Sequence, residues 1–329
     1  MSALRDGVRR VNRAPAIVLG VWALTLLVSV PLAVALRGML VQHLGRSLAA
    51  DTAAAGVNYD WMQEFGEQAT GLGVTFKPTI IGFAAVLDNL SAFMDATSRP
   101  AVIVGAAAVY AIAWIFLAGG IIDRYARDRA TRAHGFFGAS GVFFFRFLRL
   151  AAVQAIVYGF LFGAMHPWLF DRLYPRMIHE TSVERTAFAA RVVLYLVFGI
   201  LVAAATMIFD YAKVRAVVED RRSMLGAIAG SLGFIQRNYG AAVSLFLANF
   251  TLFLIVVGLY ALIAPGAGRT GVTMWIGFVV AQLYVIGRLW VKLVFWASET
   301  ALFQNRLAHA GYVARPEPAW PESPAADAI

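Results

Sequence analysis

Arg288, Lys292 and Glu299 follow one another at spacings of four and seven residues, which keeps their side chains near one face of a helix. Charge inside an apolar stretch is costly in lipid and tends to serve a function. Two bases one turn apart suit an anion or a phospholipid headgroup. Trp290 and Trp296 share the stretch, so the same residues also fit snorkelling bases within an interfacial tryptophan belt. Asp210, at the end of another apolar run, is the candidate counter-ion of the pair across a bundle, and Glu299 can approach the bases through a neighbouring turn or helix.

Other residue types point to chemistry less strongly. Asp60, Glu64 and Glu67 are carboxylates that can pair for acid–base work, but on a solvated helix they form a polar face. Gly138-Ala139-Ser140-Gly141 only approaches a nucleophile elbow, and it lies at the mouth of an apolar run. The five histidines, His43, His134, His166, His179 and His309, show no ligand spacing. With no cysteine in the chain, thiolate catalysis and cysteine-ligated metal centres are excluded. A phosphate-cradling Walker loop is likewise missing, so the sequence offers no catalytic set, no metal site and no cofactor.

The elements that hold these groups follow from composition. Of 329 residues, 60% are apolar and 14% are charged, which does not suit a soluble domain. Apolar runs at 14–36, 101–122, 142–165, 192–209, 241–264 and 272–296 each approach or exceed the roughly 20 residues a spanning helix needs. The expected fold is all-α: a polytopic transmembrane bundle of six helices in one domain over residues 1–310, followed by a disordered tail over 311–329 in which four of the eleven prolines fall. If the sixth helix enters the bilayer at Val272, Arg288 lies sixteen residues, or roughly 24 Å, into it.

The formal charge of +9 is distributed as membrane topology requires rather than as a nucleic-acid surface. Four Lys and Arg precede the first run, four lie between the second and third, and five between the fourth and fifth; the opposite segments hold four, four and one, the first of these over a long loop. Basic residues are retained inside, which places both termini in the cytoplasm. The arginine-led first run is also compatible with a secretory signal cleaved near Ala33-Val34-Ala35, although its length favours an anchor.

The loop over residues 37–99 is expected to be a small helical cap on the outer face. Leu40, Leu44 and Leu48 recur every fourth residue, Asp60 is placed to cap a short helix, and Ile80, Phe83, Leu87, Leu90 and Met94 form a second stripe ending near Asp95.

An internal similarity links two segments 87 residues apart: Asp123-Arg124-Tyr125-Ala126-Arg127 and Asp210-Tyr211-Ala212-Lys213-Val214-Arg215. Each ends an apolar run and leads through a glycine-containing basic linker to an arginine, Arg149 or Arg237. Two like-oriented hairpins result, an arrangement that transporter folds use to build sites at repeat interfaces. In the second linker Met224, Leu225, Ile228, Leu232 and Ile235 form a helical stripe flanked by Arg221 and Arg222, suited to a headgroup interface. Arg124, Arg127, Arg221 and Arg222 are therefore candidate contacts for anionic headgroups. Gly159, Gly163, Gly199 and Gly258 are expected to admit close helix packing, and Gln154, Asn249, Thr251 and Gln282 to bond between helices.

The order of the runs, the aspartates at their ends and the stretch from Asp210 to Asn238 resemble a loosely defined group of uncharacterised bacterial multispan membrane proteins, and are similar to the membrane domain attached to some glycerophosphodiester phosphodiesterases. The resemblance implies a bacterial cytoplasmic membrane location. The chain has no soluble phosphodiesterase domain. The expected function is that of an integral membrane protein without a catalytic site, engaging lipids or a protein partner through its bundle and basic inner face. The alternative is a small transporter or permease subunit for an anionic or amphiphilic solute.

Overall fold

The computed structural model describes residues 2–45, 47–55, 58–180, 182–264, 266 and 271–307. The tail and His309 lie outside these residues. Among them the chain is predominantly helical, without strands, and six helices are long and apolar enough to cross a membrane. The protein is an all-α, multi-pass membrane bundle.

A helix not expected from the sequence comes first: α1, Ser2–Asn12. It buries Ala3, Gly7, Arg10 and Val11, a helical spacing that lays one face on the bundle. Pro15, where a missing N–H costs nothing, then opens α2, Pro15–Leu44, of about 45 Å. Ala33-Val34-Ala35 lies within this continuous helix. Only Val18 and Val21 of α2 are buried, so most of it stands at the periphery.

The cap follows as α3 (Ala50–Ala55), α4 (Tyr59–Gln68), two 3₁₀ turns at Gly73–Thr75 and Pro78–Ile80, and α5 (Phe83–Met94). Asn58, not Asp60, caps α4: its side-chain oxygen accepts a hydrogen bond from the Trp61 N–H at 3.0 Å. Asp60 is already in the first turn, where it faces solvent.

The second span is α6 (Ala101–Arg127). The third begins as α7 (Ala133–Phe160), passes through wide π turns at Leu161–Met165 and Trp168–Leu173, and ends as α8 (Tyr174–Ile178). Pro167 lies between the two π turns, where a residue without an N–H interrupts the regular ladder. Next are α9 (Glu184–Val218), the short α10 (Met224–Arg237), α11 (Tyr239–Ile263) and α12 (Val272–Arg306). Several of these helices run well past the apolar stretches of the sequence: α9 and α12 each have 35 residues, or about 52 Å.

Burial is uneven along the bundle. Ile121, Ile122, Tyr125, Val214, Val217, Leu293 and Phe303 are almost wholly buried, together with Val11, whereas Leu196, Ile200, Leu262, Val272 and Phe278 are exposed. The helices pack tightly at the end that carries α1 and loosen toward the end that carries the cap.

Glycines set this tight packing, but not the expected ones. A Cβ on Gly120 of α6 would stand 2.5 Å from Ser140 Oγ and 2.6 Å from the Phe136 carbonyl of α7, and one on Gly230 of α10 would strike the Arg215 guanidinium. Gly159, Gly163, Gly199 and Gly258 have no neighbouring helix within 4 Å of such a Cβ, because they lie on faces that the bundle does not cover. The buried face of α10 is also rotated from the expected stripe. Met224, Ala227, Ser231, Phe234 and Ile235 are buried, while Leu225 is 68% exposed and Leu232 39%; small Ala227 and Ser231 let α10 lie close to α9, which leaves the leucines outward.

Candidate functional site

At the α1 end, polar groups interlock beneath the helix termini. Arg10, 8% exposed, donates from Nη1 to the Tyr125 carbonyl and to Gln304 Oε1, both at 2.8 Å, and pairs with Asp6. Gln304 in turn donates to the Ala126 carbonyl at 2.9 Å. One arginine of the basic N-terminal segment thus ties three helices together.

The candidate headgroup arginines occupy different settings. Arg124 is buried at 7% exposure. Arg127 pairs with Asp123 at 2.9 Å. Arg221 shares Glu219 with Arg215, both at 2.8 Å, while its side chain stays half exposed. Arg222 is exposed. Arg146, which the sequence reading passed over, crosses from α7 to Asp220 at 2.6 Å.

The two halves of the internal similarity are alike in detail. Asp123 and Asp210 each pair with a base on the next turn, Arg127 and Lys213, and Tyr125 and Tyr211 are both fully buried.

Asp210 is held by Lys213 at 2.8 Å and accepts a hydrogen bond from Trp296 Nε1 at 3.1 Å. Its salt bridge is therefore with Lys213 rather than with Arg288 or Lys292. Glu299, 2% exposed, forms no ion pair among the described residues, and its Oε2 has no hydrogen-bond partner. Lys292, an exposed residue, rests its ammonium 3.9 Å from the centre of the Trp114 ring and 5.8 Å from that of Trp296, where the aromatic faces attract the cation.

Of the uncharged polar residues, Asn249 donates to Ser298 at 2.9 Å and Gln282 accepts from Trp22 at 3.0 Å, both between helices. Thr251 bonds back to its own helix at Leu247. Gln154 faces a cavity.

Two cavities in the bundle bear on function. A groove of about 710 Å³ runs between α5, α11 and α12; its wall along α12 extends from Thr273 to Arg288, with Phe250, Phe253 and Leu254 opposite and Ile81 and Leu90 from the cap side. Arg288 is exposed and has no carboxylate partner among the described residues. The second cavity, about 250 Å³, lies among α6, α7, α9 and α12 and is lined by Trp114, Gln154, Lys213, Lys292 and Trp296.

Two histidines have structural tasks that spacing alone did not reveal. His43 at the end of α2 accepts a hydrogen bond from Trp61 Nε1 at 2.9 Å and packs edge-on to Phe65. His166 meets the Met94 carbonyl at 2.8 Å. Beside it the Tyr195 hydroxyl donates to Asp95, and that bond, aided by Ser91, Arg191 and His166 against a smaller opposing effect of burial, holds the Asp95 carboxyl below the usual aspartate range. The cap is thereby fastened at both ends.

The other candidates do not assemble. Ser140 is completely buried between α6 and α7, within a continuous helix and out of reach of a substrate. Asp60, Glu64 and Glu67 are exposed on α4. No group of three metal-ligating side chains gathers among the described residues. No protein-family model, curated protein or solved structure matches the chain.

Proposed function

We propose that this protein engages anionic membrane lipid, with an acyl chain in the groove between α5, α11 and α12 and the headgroup phosphate at Arg288. The observation that carries this reading is a long apolar groove containing a single unpaired guanidinium. Apolar walls of Phe, Leu, Val and Ile accept a hydrocarbon chain by the same burial that drives core formation, and a guanidinium is geometrically matched to phosphate. The described lining of the groove contains no carboxylate or histidine to act as a general base beside its hydroxyls, which favours holding a lipid over converting it.

In the same reading the α1 end faces the cytoplasm, supported by the excess of Lys and Arg in the segments that meet there. With both termini on that side, the chain is placed in a bacterial cytoplasmic membrane, as the resemblance to bacterial multispan proteins suggests. Arg221 and Arg222 are then exposed bases on the inner face, available to anionic headgroups or to a protein partner on the same surface. A second reading, passage of an anionic or amphiphilic solute, is favoured by the cavity at Lys292.

The test is native mass spectrometry of protein extracted gently and exchanged into equimolar phosphatidylglycerol and phosphatidylethanolamine. Wild type should retain the anionic lipid preferentially. A single headgroup contact of about 1 kcal/mol makes Arg288→Gln lose roughly five-fold of that preference. Equal retention of the two lipids by wild type, or an unchanged preference in Arg288→Gln, would contradict the reading.

A further inference from the structure

We propose that the cavity among α6, α7, α9 and α12 is a second site, separate from the lipid groove, for the anionic group of a phosphate- or carboxylate-bearing molecule. Lys292 and Lys213 supply the charge, Gln154 a neutral donor, and Trp114 and Trp296 the walls.

The two bases of this cavity are not equally served within the protein. Lys213 has Asp210 at 2.8 Å, and Asp210 also accepts from Trp296. Lys292 has no hydrogen bond or ion pair among the described residues; it has only the two indole faces. An ammonium carries three N–H donors, and a ring face satisfies its charge without accepting them in the way an oxygen does. Lys292 is exposed at the cavity, so its ammonium is accessible to a ligand that supplies the missing oxygen. Neither carboxylate of this region serves Lys292: Asp210 is bound by Lys213, and Glu299 forms no ion pair among the described residues.

The remaining lining fits an anion. Lys213 lies 5.4 Å from the Trp296 ring centre on its own account, so both ammonium groups border the same indole. Gln154 projects from the facing helix α7 and has no hydrogen-bond partner among the described residues, so its amide is available to a ligand oxygen. About 250 Å³ holds about eight waters at roughly 30 Å³ each. That is room for a phosphate or carboxylate on a body of a few carbon atoms, or for a lipid headgroup reaching inward. Both share the chemistry of a compact anion between two ammonium groups.

The experiment measures binding to the full chain in two forms. Detergent-solubilised protein is titrated calorimetrically with glycerol phosphate at constant ionic strength, and nanodiscs containing phosphatidic acid are compared with nanodiscs lacking it by native mass spectrometry. We expect at least one probe to bind, Lys292→Gln to weaken it ten-fold or more, Gln154→Leu to weaken it several-fold with no change of charge, and exposed Lys77→Gln to leave it unchanged. Binding of glycerol phosphate identifies a soluble ligand, and binding of phosphatidic acid alone identifies a headgroup; either result with the Lys292 dependence supports the site. Dependence on Lys292 and Gln154 separates this binding from the groove, whose lipid depends on Arg288. Failure of both probes to bind, or binding that survives both Lys292→Gln and Gln154→Leu, overturns the proposal.

Discussion

Gly7 of α1 lies against the backbone of Ser298 in α12 so closely that a Cβ on the glycine would stand 2.6 Å from the serine Cβ and 2.7 Å from its N and Cα. The N-terminal helix is therefore seated in the packed end of the bundle, and Ser298 also receives Asn249 from α11. Neither backbone can give way cheaply, since each belongs to a continuous helix. Gly7→Val should cost about 2 kcal/mol or more through overpacking, seen as a lower denaturation temperature and faster proteolysis within α1. An unchanged melting curve would show that α1 is not held there.

Arg10 offers a test of the polar knot. Replacing it with Met leaves the Tyr125 carbonyl and Gln304 without their donor and should cost about 3 kcal/mol, the scale of losing one partner from a buried charged network. The double variant Arg10→Met with Gln304→Leu should lose less than the sum of the two single changes, because the residues share one bond. Additive losses in chemical denaturation would refute the coupling.

Part of this organisation was legible in the sequence and part was not. Six apolar runs foretold six spans because hydropathy records the lipid directly. The same principle concealed α1: its arginines were read as topology signals, whereas the 3, 7, 10, 11 spacing of Ala3, Gly7, Arg10 and Val11 was the mark of a packed face. The sequence places Asp210 at the end of its span, whereas α9 continues beyond it to Val218, and sign alone does not identify its partner. Lys213, three residues away, is reached within one turn, while Lys292 is on another helix and already covers Trp114. Glycine positions carry no indication of which helix face meets a neighbour, so Gly120 and Gly230 could not be told from Gly159 or Gly199. The grooves were invisible for the same reason: a cavity depends on how six helices diverge, which no local pattern encodes.

The cap should respond to acid. Tyr195, Ser91, Arg191 and His166 all favour the charged form of Asp95, whose folded pKa lies below the ordinary aspartate value of about 3.9. Such a group contributes stability that is present above the unfolded value and is lost as pH falls through the folded one. Protection of α5 amides against hydrogen exchange, corrected for intrinsic rates, should hold from neutral pH down to about 4 and decline below it, and Asp95→Asn should show low protection throughout. A decline that persists unchanged in Asp95→Asn would assign the effect to another group.

The central claim is a lipid in the groove, and the most direct measurement is a structure of the protein determined by electron cryomicroscopy in phosphatidylglycerol nanodiscs. The expected result is chain density along α12 from Thr273 toward Arg288, between α5 and α11, with the headgroup phosphate at hydrogen-bond distance from the Arg288 guanidinium. A groove closed by its own side chains, or lipid density whose headgroup lies away from Arg288, would contradict it.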